Sequence, residues 1–195
     1  MNKTALRSKQ AIVTALFNKL ASYPFNELTI SEIAAEANVS RKTFYQHFPS
    51  KFAIVQYYTQ STVQAYLTTV ADQKIKNFHD LLCCYFSFWQ EQRHELLVLQ
   101  KNNLLGFVFE AQRQQLLQML PQQAMPWHSP TKDETVIDLL IIGGVWNILL
   151  YYLTPDRLID PEKLTRIIIN SLKDHLVYLR DSSDLPHVPK VLFQL

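Results

Sequence analysis

The sequence predicts an all-α protein: a small head of three helices followed by a larger helical body. Three observations predict it. The 195 residues hold only three glycines, Gly106, Gly143 and Gly144, too few for many tight hairpins. Apolar residues recur three and four apart along most of the chain, the period of an amphipathic helix. The first fifty residues contain no strand-like alternation of apolar and polar positions. A hydrophobic content of 48% against 18% charged residues belongs to an ordered chain long enough to bury its own core.

The elements follow in order. Ile12, Leu16 and Leu20, flanked by Val13 and Phe17, form a stripe that predicts a first helix running to about Ser22, where Tyr23-Pro24-Phe25-Asn26 breaks it. Thr29-Ile30-Ser31-Glu32 has the form of a capping box: a Thr hydroxyl caps the helix and the Glu three residues on reaches back to the cap amide. A short second helix follows with Ile33, Ala34 and Ala37 on its apolar face. Asn38 stands at the turn, and Asn tolerates the left-handed backbone that a helix end needs. Ser40 is a good N-cap for a third short helix ending near His47-Phe48, and Pro49-Ser50-Lys51 opens a fourth from Lys51 to about Lys74. Two short helices joined by a three- or four-residue turn have helix-turn-helix geometry.

Further helices are expected over 78–92, 94–103, 104–120, from Thr131/Asp133 to Leu153, and over 161–180. Pro121 to Pro130 reads as a loop and 182–195 as an extended tail. The boundaries are therefore residues 1–50 for the head, 51–181 for the body and 182–195 for the tail.

Charge separates head from body. Residues 1–60 carry seven Lys/Arg against three acids, and the remainder carries twelve against fourteen. A basic head suits a polyanion. In the third helix Phe44 and Phe48, with Val39 before it, are assigned to the core. Arg41 and Lys42 can reach guanine acceptors or phosphates, Gln46 can pair with adenine, Thr43 offers a hydroxyl and a methyl, and Tyr45 a ring and a hydroxyl.

The run Leu28-Thr29-Ile30-Ser31-Glu32-Ile33-Ala34-Ala35-Glu36-Ala37-Asn38-Val39-Ser40-Arg41-Lys42-Thr43-Phe44-Tyr45-Gln46-His47-Phe48-Pro49-Ser50-Lys51 resembles the DNA-binding domain of TetR/AcrR-type regulators. The resemblance is close over roughly the first quarter of the chain. It departs at Asn38, where the family often has Gly, and at Tyr23-Pro24-Phe25, where a glycine is frequent. It implies that Tyr45 and His47 touch phosphate and sugar, and that Thr29 and Lys51, at helix starts, clamp the DNA backbone. The expected interface is thus Thr29, Ser40, Arg41, Lys42, Thr43, Tyr45, Gln46, His47 and Lys51, on double-stranded DNA with a palindromic operator. The body is then a ligand-binding and dimerisation domain, and the protein a repressor released by a small-molecule effector. An activator or co-regulator working through a protein partner is the alternative.

So short a reading helix expects a homodimer on a two-fold site. The segment from Thr135 to Leu153 is apolar almost all round, and Gly143-Gly144 would let another helix approach; burial inside one chain is the competing account. The resemblance implies a four-helix interface from this segment and 161–180, with Leu140, Gly144, Ile148, Ile168 and Leu172 as its candidates. Many aromatics lie between, and Tyr66, Tyr85, Phe86, Trp89 and Phe107 are candidate pocket residues, a plain core being the simpler reading for any one of them.

Other functions are disfavoured. No nucleophile elbow, phosphate loop or zinc-protease pair occurs, so no catalytic residue, enzyme activity or cofactor is expected. His79 and Cys83 stand four apart, a spacing that suits a soft metal, but no second His/Cys pair accompanies them and no metal is assigned. Adjacent Cys83 and Cys84 cannot form an ordinary disulfide with each other. The most apolar stretch, Val136 to Leu153, is interrupted by Asp138 and Asn147 and reads as a buried helix. With no signal-like N-terminus, a cytoplasmic protein without membrane contact is expected.

Overall fold

The computed structural model describes residues 3–119 and 134–181. The loop expected at 121–130, Trp127 within it, and the tail from Ser182 lie outside these. Among the described residues there are nine helices and no strand: α1 Lys3–Ser22, α2 Ile30–Glu36, α3 Arg41–His47, α4 Lys51–Asp72, α5 Phe78–Glu91, α6 Arg93–Lys101, α7 Leu105–Met119, α8 Glu134–Tyr152 and α9 Pro161–Asp181. The all-α expectation holds, and the helix ends fall close to the punctuation that predicted them.

The described residues fall into two compact units. The first holds the residues up to Gln64 together with His94–Gln112; the second holds Ala65–Arg93 and the residues from Arg113 onward. The first unit therefore contains α6 and the start of α7, which the sequence boundary at residue 50 had given to the body. Its core is built from Ile12, Leu16 and Leu20 of α1, Ile33 of α2, Phe44 of α3, Ile54 and Val55 of α4, and Leu96 and Leu99 of α6.

Polar joints explain why α6 joins the head. At the turn between α6 and α7, the Asn102 side chain accepts from the Phe25 amide at 2.8 Å and donates to the Leu20 carbonyl at 3.3 Å and the Val98 carbonyl at 2.8 Å. Lys101 Nζ donates to the Ala21 carbonyl at 3.0 Å. Carbonyls in the last turn of α1, which have no partner within their own helix, are satisfied from 80 residues away. Asn103, in the left-handed region at φ 58°, makes the turn itself.

In the second unit α5 and α9 pack against one another. Leu82, Tyr85, Phe86 and Trp89 of α5, Trp146 and Leu149 of α8, and Leu164 of α9 are buried there. The connection between α8 and α9 is fastened to α5 and its end: the Arg93 guanidinium donates to the carbonyls of Thr154 and Pro155, and Gln90 Oε1 accepts from the Ile159 amide at 3.0 Å.

Candidate nucleic-acid interface

Local chemistry sets the turn between α2 and α3. Thr29 caps α2: its Oγ1 accepts from the Glu32 amide at 3.2 Å, while Glu32 Oε2 accepts from the Thr29 amide at 2.8 Å and the Thr29 hydroxyl at 2.7 Å. These bonds hold the Glu32 carboxyl below its ordinary range, the Thr29 hydroxyl contributing most. Asn38 has φ 52°, the left-handed conformation that its sequence position required. Ser40 caps α3, its Oγ accepting from the Thr43 amide at 3.0 Å and lying 2.9 Å from the Thr43 hydroxyl.

The α3 helix is two-sided. Phe44 and Phe48 are buried, 0% and 2% exposed, and their rings lie 6.4 Å apart. On the other side Arg41, Lys42, Tyr45 and Gln46 are exposed. Positions i, i+1, i+4 and i+5 share one helical face, so four hydrogen-bonding side chains line a single edge. Thr43 and His47 are half-buried at its margin. Val39, expected in the core, is half-buried as well. Lys9 of α1 secures the far side: its Nζ sits 3.8 Å from the Tyr57 ring centroid and 5.5 Å from that of Phe48.

The nine expected interface residues thus fall into distinct groups. Arg41, Lys42, Tyr45 and Gln46 present their side chains outward. Thr29 and Ser40 spend their hydroxyls on the caps. Lys51 has an internal task that the sequence did not foretell: its Nζ donates to the carbonyls of Phe25 at 2.6 Å, Asn26 at 3.2 Å and Leu28 at 2.8 Å, and stands 4.7 Å from the Phe25 ring centroid. An ammonium has three donors. All three hold the segment between α1 and α2 against the start of α4, and partial burial draws the Lys51 pKa below its ordinary value.

The candidate pocket residues divide between the two units. Tyr66, Tyr85, Phe86 and Trp89 are buried together in the second: the Tyr66 and Tyr85 rings meet edge-on at 5.6 Å, Tyr85 and Phe86 at 5.4 Å, and Trp89 meets Trp146 at 6.4 Å. Burial pushes the Tyr66 hydroxyl pKa well up. The Trp89 indole N–H is buried with no hydrogen-bond partner among the described residues. Phe107 belongs to the first unit, half-buried, with its ring 6.1 Å from Phe52.

The candidate interface residues of the body also differ in setting. On α8, Val136, Leu140, Gly144, Asn147 and Tyr151 are all exposed, Leu140 by 66% and Tyr151 by 76%. Their spacing of four, four, three and four puts them on one face. A Cβ placed on Gly143 or Gly144 would meet nothing within 4 Å. Ile148 and Leu172 are half-buried, and on α9 Ile168 is buried while its neighbour Ile167 faces outward. Among the described residues no helix is long and apolar enough to cross a membrane.

Residues 12–58 match the family model of bacterial regulatory proteins, tetR family. Among solved structures the chain is similar to a tetR-family transcriptional regulator from Streptomyces coelicolor, with 18% identity, 90% of this chain and 86% of that one covered, and a TM-score of 0.54. It is also similar to a Clostridium perfringens protein assigned as a fatty acid metabolism regulator, with 21% identity, 81% and 94% covered, and a TM-score of 0.56. At these identities the likeness is one of fold. No curated protein sequence matches the chain.

Proposed function

We propose that this chain, whose residues 12–58 match the tetR-family model, is a tetR-type regulator: a homodimeric, sequence-specific DNA-binding repressor released by a small-molecule inducer. One observation carries the DNA reading: Arg41, Lys42, Tyr45 and Gln46 are exposed along one face of α3, whose other face is anchored by Phe44 and Phe48. A helix mounted in that way can enter a major groove with its donors against base edges. Arg41, Lys42 and Gln46 read bases, with Thr43 at the margin. Tyr45 and His47 hold phosphate and sugar. Thr29, Ser40 and Lys51 act at one remove, by fixing the two short helices.

The exposed apolar face of α8 supports a two-fold dimer, in which the open space over Gly143 and Gly144 admits the partner's helix. Leu140, Gly144 and Ile148 contribute from α8 and Ile168 and Leu172 from α9, on which Ile167 is also exposed. The aromatic cluster of Tyr66, Tyr85, Phe86 and Trp89 supports a flat or greasy effector, and the unpartnered Trp89 N–H is a donor that such a ligand's polar atom would satisfy.

The test is a gel shift on DNA flanking the protein's own gene at two salt concentrations, followed by selection from a randomised operator library. Wild-type affinity falls steeply with salt, and Gln46→Ala relaxes preference at one base position, by about 1–3 kcal/mol. An even loss across the library would remove Gln46 from the base readers. No salt-sensitive binding to any library member would overturn the DNA reading.

A further inference from the structure

The second unit brings together three metal-ligating side chains from distant parts of the chain. His79 and Cys83 are one turn apart on α5 and share a face. Glu162 is the second residue of α9, the helix packed against α5. His79 Nε2 lies 3.3 Å from Glu162 Oε1, Cys83 Sγ 3.3 Å from Glu162 Oε2, and Cys83 Sγ 3.8 Å from His79 Nδ1. One ligand atom from each residue can be chosen so that all three lie within 4.8 Å of one another.

We propose that His79, Cys83 and Glu162 form a binding site for a thiophilic divalent cation of the zinc class, which fastens α9 to α5. Zinc bonds of about 2.0–2.3 Å to nitrogen, oxygen and sulfur place tetrahedral ligand atoms roughly 3.3–3.8 Å apart; one ligand atom from each residue lies within 4.8 Å of the others, so small side-chain rotations close the set around an ion. Imidazole, thiolate and carboxylate together select a borderline-soft ion over magnesium or calcium, which take oxygen ligands. Three protein ligands leave a fourth position for water.

The surroundings favour a cation. His79 and Cys83 are half-buried and Glu162 is exposed, so the ligands are reachable from solvent. The Asp80 carboxylate stands 3.9 Å from His79 Nδ1 and adds a second negative group. The wholly buried Thr165 hydroxyl, one turn along α9 from Glu162, has no hydrogen-bond partner among the described residues. Arg166 competes: its Nε is 3.8 Å from Glu162 Oε1. Its side chain is 66% exposed and can swing into water when an ion arrives. Binding exchanges the Cys83 thiol proton for the ion and releases that proton to solvent.

The test uses the full-length protein with Co²⁺ as a spectroscopic probe and Zn²⁺ titrated against a chelator. One equivalent of Co²⁺ is expected to bring a thiolate-to-cobalt charge-transfer band in the near ultraviolet. The band is lost in Cys83→Ser and kept in Cys84→Ser. His79→Ala and Glu162→Gln should each weaken Zn²⁺ binding by about tenfold or more, as loss of one ligand from three requires. Zn²⁺ should raise the Tm of the wild type and leave that of Cys83→Ser unmoved. Circular dichroism of each variant checks that its helices remain, and Cys83→Ala replaces any serine variant that has lost them. Absence of the band, its persistence in Cys83→Ser, or equal Zn²⁺ affinity in all variants would overturn the site, leaving an ion pair and a thiol hydrogen bond between two helices.

Discussion

The helices α3 and α8 face solvent in opposite ways. The seven residues of α3 bury two phenylalanines and turn Arg41, Lys42, Tyr45 and Gln46 outward. The nineteen residues of α8 bury Ile142, Val145, Trp146 and Leu149 and still leave Val136, Leu140 and Tyr151 exposed. A helix with donors outside is complete as a folded object and offers hydrogen bonds to a polar partner. A helix with apolar residues on both sides is incomplete, because water is a poor neighbour for its outer face. The contrast separates a surface that offers hydrogen bonds from one that offers apolar area.

Substitutions on the two helices break the contrast in different currencies. The largest effect belongs to Phe44→Ala, which empties a wholly buried site behind α3. A loss of about 3–5 kcal/mol is expected, read by chemical denaturation, and DNA binding goes with the fold. A cost below about 1 kcal/mol would mean that α3 is not held from behind.

Next comes Leu140→Glu on α8. The side chain is largely exposed in the single chain, so intrachain stability stays within roughly 0.5 kcal/mol. In a two-fold interface the change occurs twice, at about 2 kcal/mol per copy, which raises the dimer dissociation constant roughly a thousandfold. Sedimentation velocity reads it, and an unchanged dimer would place the interface elsewhere.

The smallest effect is at the cap of α2. Thr29→Ala should cost about 1 kcal/mol of stability at neutral pH. The Glu32 half of that box has a sign in pH. Its carboxyl is held below the ordinary value of 4.5, so the folded state favours the ionised form. That contribution is fully present above about pH 4.5 and disappears as pH falls through the lower, folded-state value. The gap between wild type and Thr29→Ala should therefore narrow in acid, and a gap that widened would show that Glu32 does not act through Thr29.

The head was legible because its determinants are local. Thr29 and Glu32 are three residues apart, Ser40 and Thr43 likewise, and Asn38 bends its own backbone, so each could be recognised from neighbours alone. Lys51 shows where this stops. Its position at a helix start was readable, but its three carbonyl partners lie 23 to 26 residues away, and no local pattern reveals them. The same holds for Asn102, which falls inside the helix expected over 94–103 and in fact ties the end of α1 from the turn before α7. Phe107 was grouped with the aromatics of the body on residue type, which carries no information about which unit a ring joins.

By itself, then, the sequence determined the helical class, the order of the elements, the caps and turn of the head, and which residues of α3 point away from its phenylalanines. Helical period and capping chemistry act over three or four residues, and both are written in consecutive letters. Only the tertiary structure decided that α6 belongs with the head, that Ile168 is buried while Ile167 is not, and that Glu162 stands beside His79 and Cys83. Each of these depends on which helix faces which across tens of residues, and that choice is made by packing the whole core at once.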